Sequence, residues 1–126
     1  MESLIALIII AVLATIGIAQ YTAHRESVLD KEAIANLKLI QSAERIYKME
    51  AGIYIACTNT GQVNTRLRLL LPSVTPRWNY KVDNIAGTPP PHTFRGKAER
   101  TSGTVRYWCI DQNTDEPYNA SGGCSW

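Results

Sequence analysis

The segment Asp111–Glu116, DQNTDE, sets oxygen-bearing side chains at alternate positions, Asp111, Asn113 and Asp115. Alternating oxygens suit calcium, a hard cation that draws its ligands from a tightly turning loop. The glycine and the distal glutamate of an EF-hand are both missing, so the motif is weak and no metal is favoured there. A solvated turn is the plainer reading. Cys57, Cys109 and Cys124 show no C-x-x-C or Cys/His spacing, and His24 and His92 stand alone, which argues against zinc. No nucleophile elbow or triad-like motif is present, so neither an enzyme nor a cofactor is expected. Arg66, Arg68, Arg77, Arg95, Lys97, Arg100 and Arg106 could form a basic patch. Without interleaved aromatics or a groove-reading helix they read as a solvated face, and nucleic acid is not the expected partner. The formal net charge of +2 excludes little by itself.

Glu2 is the sharpest chemical candidate. It is the only formally charged side chain between Met1 and His24, and it precedes the run LIALIIIAVLATIGI from Leu4 to Ile18. A carboxylate drawn into apolar surroundings costs several kcal/mol unless it is paired. Glu2 therefore either finds a cation there or sits in solvent beyond the run.

The elements that carry these residues follow from periodicity. Leu4–Ile18 as a helix falls just short of a ~30 Å hydrocarbon core, and extension through Ala19 to an interfacial Tyr21 brings it to the lower limit of a span. A cleavable signal peptide would need a basic start and a shorter apolar core. The first basic residue is instead Arg25, which by the positive-inside rule alone would place the C-terminal domain in the cytoplasm. Cysteines beyond an apolar anchor point the other way, to an oxidising compartment. The two agree if a basic leader once preceded Met1. From Ala23 to Gly52 there is no proline or internal glycine, and Leu29, Ala33, Leu37, Ile40, Ala43 and Tyr47 form an apolar stripe. Ile34, Ile46, Met49 and Ile53 form a looser one, with charges of alternating sign between them. Gly52 is the stop signal. Residues 1–24 thus read as a membrane or polymer segment, and 25–126 as a globular domain: amphipathic helix 25–53, connecting loop 54–76, sheet 77–112 and C-terminal loop 113–126.

Within the loop, Val63–Leu71 predicts a short helix capped by Asn64 and ended by Pro72, with Leu67 and Leu69–Leu71 needing cover. Strands are expected at Trp78–Ile85, His92–Arg100 and Thr104–Gln112, with turns at Gly87–Pro91 and Thr101–Gly103. Trp78, Tyr80 and Val82 share one face, as do Val105, Tyr107 and Cys109. The fold class expected is α+β: a long helix, half apolar and half amphipathic, packed on a small antiparallel sheet. A domain of this size cannot bury the whole helix. The apolar half must meet lipid or copies of itself.

This order of elements resembles the type IV pilins and the pseudopilins of type II secretion, specifically over Glu2–Tyr21, ESLIALIIIAVLATIGIAQY. Members carry one glutamate near the start of the apolar run and often a Gln-Tyr pair at its end, here Gln20-Tyr21. Glu2 lies nearer the N-terminus than the family glutamate, Ala19 stands where proline is usual, and Ala11 where glycine is. The resemblance implies a pilin-like subunit of a homo-oligomeric helical filament on the cell surface, held in the inner membrane beforehand and handled by pilus assembly machinery. It also implies that Glu2 meets the Met1 amine of a neighbouring subunit and sets axial register. Adhesion or motility would be the role of a pilus, with secretion as the pseudopilin alternative; a monomeric single-pass protein with an extracytoplasmic binding domain is the reading from another class. Some pseudopilins bind calcium near the position of Asp111–Asp115. The family often closes a C-terminal loop by a disulfide, here Cys109–Cys124 with Cys57 free. Such a loop is worth ~3 kcal/mol on chain entropy. Pairing of Cys57 with either of the others remains the alternative.

Overall fold

The structure, a computed structural model, describes residues 1–74, 76–83 and 93–124, without the side chains of residues 18, 19, 22 and 23. The turn expected at Gly87–Pro91 lies outside the described residues. The chain is α+β and divides into two compact units, Met1–Lys31 and Glu32–Trp126. This division falls a few residues beyond Arg25, where the charge pattern alone puts it.

Helix α1 runs Glu2–Ala51 without a break, Gly17 included. No proline interrupts it, and Gly52 ends it with φ +81°, donating its N–H to the Lys48 carbonyl at 2.7 Å. Only glycine adopts that left-handed geometry without steric strain. Its first half is the body of the first unit.

In the second unit, four antiparallel strands run in chain order: β1 Trp78–Asp83, β2 Arg95–Arg100, β3 Tyr107–Asp111 and β4 Tyr118–Asn119. Trp78, Tyr80 and Val82 of β1, Ala98 of β2 and Ile110 of β3 are buried with Ala33, Leu37 and Ile40 of α1. Leu37 of α1 lies near Gly96 of β2. A Cβ there would lie 3.1 Å from Ile110 Cγ2 and 3.7 Å from Leu37 Cδ2. Ile110 is itself fully enclosed, so it has nowhere to yield. Gly96→Ala should therefore destabilise the unit by about 1–3 kcal/mol through overpacking. Urea unfolding would show it, and an unchanged midpoint would mean that Ile110 yields to the added Cβ.

Helix α2 is Thr60–Leu67, not Val63–Leu71. Asn59 is the cap rather than Asn64: its Oδ1 accepts from the Gln62 N–H at 2.8 Å, while Gln62 Oε1 accepts from the Thr58 N–H at 3.0 Å. The first bond satisfies a donor that the first helical turn leaves open, and the second ties the residue ahead of the cap back to the helix. Asn64 instead closes the far end, its amide donating to the Leu71 carbonyl and its oxygen accepting the Leu71 N–H. Leu67 and Leu71 are buried, but Leu70 is 99% exposed and has no cover among the described residues.

β2 and β3 are shorter than the alternation implies, and the expected end of the first strand at Ile85 lies outside the described residues. The Arg100 N–H donates to the Arg106 carbonyl at 3.0 Å, and Gly103 turns at φ +83°. That closes the β2–β3 hairpin and leaves 101–105 as its loop. Val105 is thus 62% exposed and does not share a buried face with Cys109. The connecting loop is pinned to β1 by the Cys57–Val82 pair, which exchanges two backbone hydrogen bonds of 2.8 Å. β4 lies in what reads as loop by sequence, opposite Trp108 and Cys109.

Candidate assembly surface

In the first unit, nine large apolar side chains between Leu4 and Ile16 are each 53–63% exposed. At 3.6 residues per turn they point all around the helix, which has no polar face. Thr15, the polar side chain within this stretch, donates to the carbonyls of Ala11 and Val12 and so needs no outside partner. Covering nine such side chains is worth on the order of 10 kcal/mol, enough to decide that water is not their working solvent. No helix of the described residues is long and apolar enough to cross a membrane. The described side chains Met1–Gly17 span about 25 Å, and the extension through Ile18 and Ala19 rests on side chains outside the description.

Glu2 occupies the first turn of α1 beside Met1, where a carboxylate complements the helix dipole. Both are exposed, and Glu2 makes no hydrogen bond or ion pair among the described residues. Met1 and Glu2 therefore sit together at one end of an uncovered apolar rod.

The second unit holds the polar residues that sequence patterning assigns to solvent. Gln41 is buried on α1, its amide donating to the carbonyls of Asp111 and Thr114, both at 2.8 Å. Glu44 is fully buried. One carboxylate oxygen accepts the Ile55 N–H at 3.0 Å, and the other has no partner. Burial pushes its pKa up to about 7, against the opposing effect of the Ile55 hydrogen bond. The buried stripe Ala33, Leu37, Ile40 continues through Gln41 and Glu44, while Ala43 and Tyr47 are only half-buried and Ile46 and Met49 are exposed. Tyr80, enclosed on β1, accepts from the Asn36 amide at 2.8 Å, and burial raises its hydroxyl to about 12.

Asp111 uses its carboxylate on its own turn. Its Oδ1 accepts from the N–H groups of Asn113 at 2.7 Å and Thr114 at 2.9 Å. Among the described residues no group of three or more acidic, His or Cys side chains could hold a metal. Of the basic residues, Arg77 pairs with Glu32, Arg100 lies over the Trp78 ring, and Arg66 donates to the Ala56 carbonyl. Cys109 and Cys124 form a disulfide with Cα atoms 5.8 Å apart, which fastens the C-terminal segment to β3. Cys57 is free and buried. Burial, with a smaller push from the Glu44 charge, raises its thiol to about 11 and keeps it unreactive.

No protein-family model, curated protein or solved structure matches the chain.

Proposed function

We propose that this chain is a structural subunit of an extracellular filament of the type IV pilus kind, assembled through its N-terminal helix. The observation that carries this reading is the uncovered apolar circumference of Leu4–Ile16. Such a surface must be covered by lipid or by other copies, and a helix apolar all round is buried in use. The pilin-like order of a long N-terminal helix, a four-stranded antiparallel sheet and a disulfide-closed C-terminal segment supports it further. The membrane holds the helix before assembly, and neighbouring helices replace the lipid afterwards. In the bundle, Glu2 meets a cation of the next copy, because an unpaired carboxylate among apolar side chains costs several kcal/mol.

Glu2→Ala should leave the membrane-held monomer at its normal level and lower filament yield at least about tenfold, the loss expected when one partner of a desolvated charge pair is removed. Filaments of normal number and length from this variant would remove Glu2 from assembly.

A further inference from the structure

In the second unit, a cavity of about 260 Å³ opens between the last turns of α1 and the end of α2. Ala43, Ile46, Tyr47 and Glu50 form the α1 wall, and Arg66 and Arg68 the α2 wall. Small-molecule sites occupy ~300–1,000 Å³, so this groove fits a side chain or two of another protein better than a cofactor. Its composition agrees: Ile46 is 53% exposed and Met49, one turn on, 79% exposed. Arg, Tyr and Met are the residues protein interfaces favour.

Arg68 ends α2 in the left-handed region, φ 56° and ψ 43°. Glycine is the usual residue there, and another side chain costs roughly 1 kcal/mol. The Arg68 guanidinium has no partner among the described residues, whereas Arg66 is already oriented by its 2.7 Å bond to the Ala56 carbonyl. The α2 wall therefore presents two cations and no anion.

The matching anion lies on the other side of the same helix. The Asp111–Glu116 turn is held against α1 by the Lys38–Glu116 ion pair and by the Gln41 amide on the Asp111 and Thr114 carbonyls. Asp115 projects from it, exposed and without a partner among the described residues. At 100° per residue, Lys38 and Gln41 point about 160° away from the groove-lining residues of α1. One copy therefore cannot bring its own Asp115 to its own arginines. Unlike surfaces on opposite sides join copies head to tail, a contact that repeats instead of closing on itself as a two-fold dimer.

We propose that the α1–α2 groove receives the Asp111–Glu116 turn of a second copy of this chain, with the Asp115 carboxylate between the Arg66 and Arg68 guanidiniums. Glu50 on the facing wall repels a carboxylate and so confines Asp115 to the arginine side. This contact rests on the filament reading and names one lateral interface within it.

The test is a charge exchange in the full-length chain, with filaments counted by negative-stain microscopy. Arg68→Glu and Asp115→Arg should each lower filament yield at least about tenfold, as loss of a close interfacial charge pair does. The double variant should return it to near the parental level. Parental yield from either single variant, or a double variant no better than the singles, overturns the contact and leaves the filament reading standing. A free small anion in the groove would leave Asp115→Arg at the parental yield and so give the first of these results. If the parent chain forms no filaments, the filament reading fails, and the contact is read separately by sedimentation in detergent micelles. There Arg68→Glu mixed with Asp115→Arg should give mixed oligomers that neither variant forms alone, and a mixture that stays monomeric overturns the contact.

Discussion

Leu37→Ala, or Ile40→Ala, is expected to lower the unfolding free energy of the second unit by about 2–5 kcal/mol, the loss seen when a buried aliphatic is cut back and its cavity remains. Both side chains are fully buried, and Leu37 lies against the one strand position, Gly96, that has no side chain. Leu7→Ala offers the contrast. Leu7 is 62% exposed in the first unit, so its removal should leave that unfolding free energy unaltered and disturb assembly only. Denaturant unfolding of a chain running from Arg25 to Trp126 measures the first pair, and filament yield of the full-length chain measures the third. A Leu37→Ala variant as stable as its parent, or an unfolded parent fragment, would mean that α1 is not the spine of the globular unit.

Glu44→Gln should abolish most of a pH dependence that the parent shows. In the unfolded chain Glu44 ionises near its ordinary value of 4.5, whereas in the folded chain burial holds the proton until about pH 7. The folded state binds the extra proton between these values, so the contribution is fully present below about pH 4.5 and is lost as pH rises to about 7. Above that it changes no further. The loss amounts to roughly 3 kcal/mol across the window. The substituted amide enters the same enclosed position that leaves one Glu44 oxygen unpartnered, so the variant also carries a constant offset in stability, which is not the readout. The readout is the difference between parent and Glu44→Gln unfolding free energies, measured from pH 4 to pH 8. It should move in favour of the variant as pH rises. Parallel curves would show that Glu44 is ionised and satisfied in the fold.

The long helix is readable because its signals are local and dense. An unbroken run without proline, a three-and-four stripe and Gly52 all point to the same element. Traced along apolar residues alone, the stripe runs two positions too far, to Ala43 and Tyr47. After Ile40 the helix turns Gln41 and Glu44 inward, and backbone groups far away in sequence, at Asp111, Thr114 and Ile55, make their burial possible. No local pattern announces such partners. The α2 boundary shifts for a similar reason: Asn59 and Asn64 are equally good caps by type, and the exchange among Asn59, Gln62 and Thr58 selects the earlier one. β4 is two residues long and exists through pairing with β3, which periodicity over so short a stretch does not reveal. Met1 and Glu2 are legible as candidates because a lone charge ahead of an apolar run stands out. The groove at Arg66 and Arg68 is not, since it is made only when α1 and α2 come together.

We propose that this chain works as a polymer through its first unit. Surface material sheared from cells that produce it should contain thin filaments by negative-stain microscopy, and mass spectrometry of the purified filaments should return peptides of this chain as the main component. Recovery of the chain solely as a membrane-held monomer, with no filament containing it, would contradict the account.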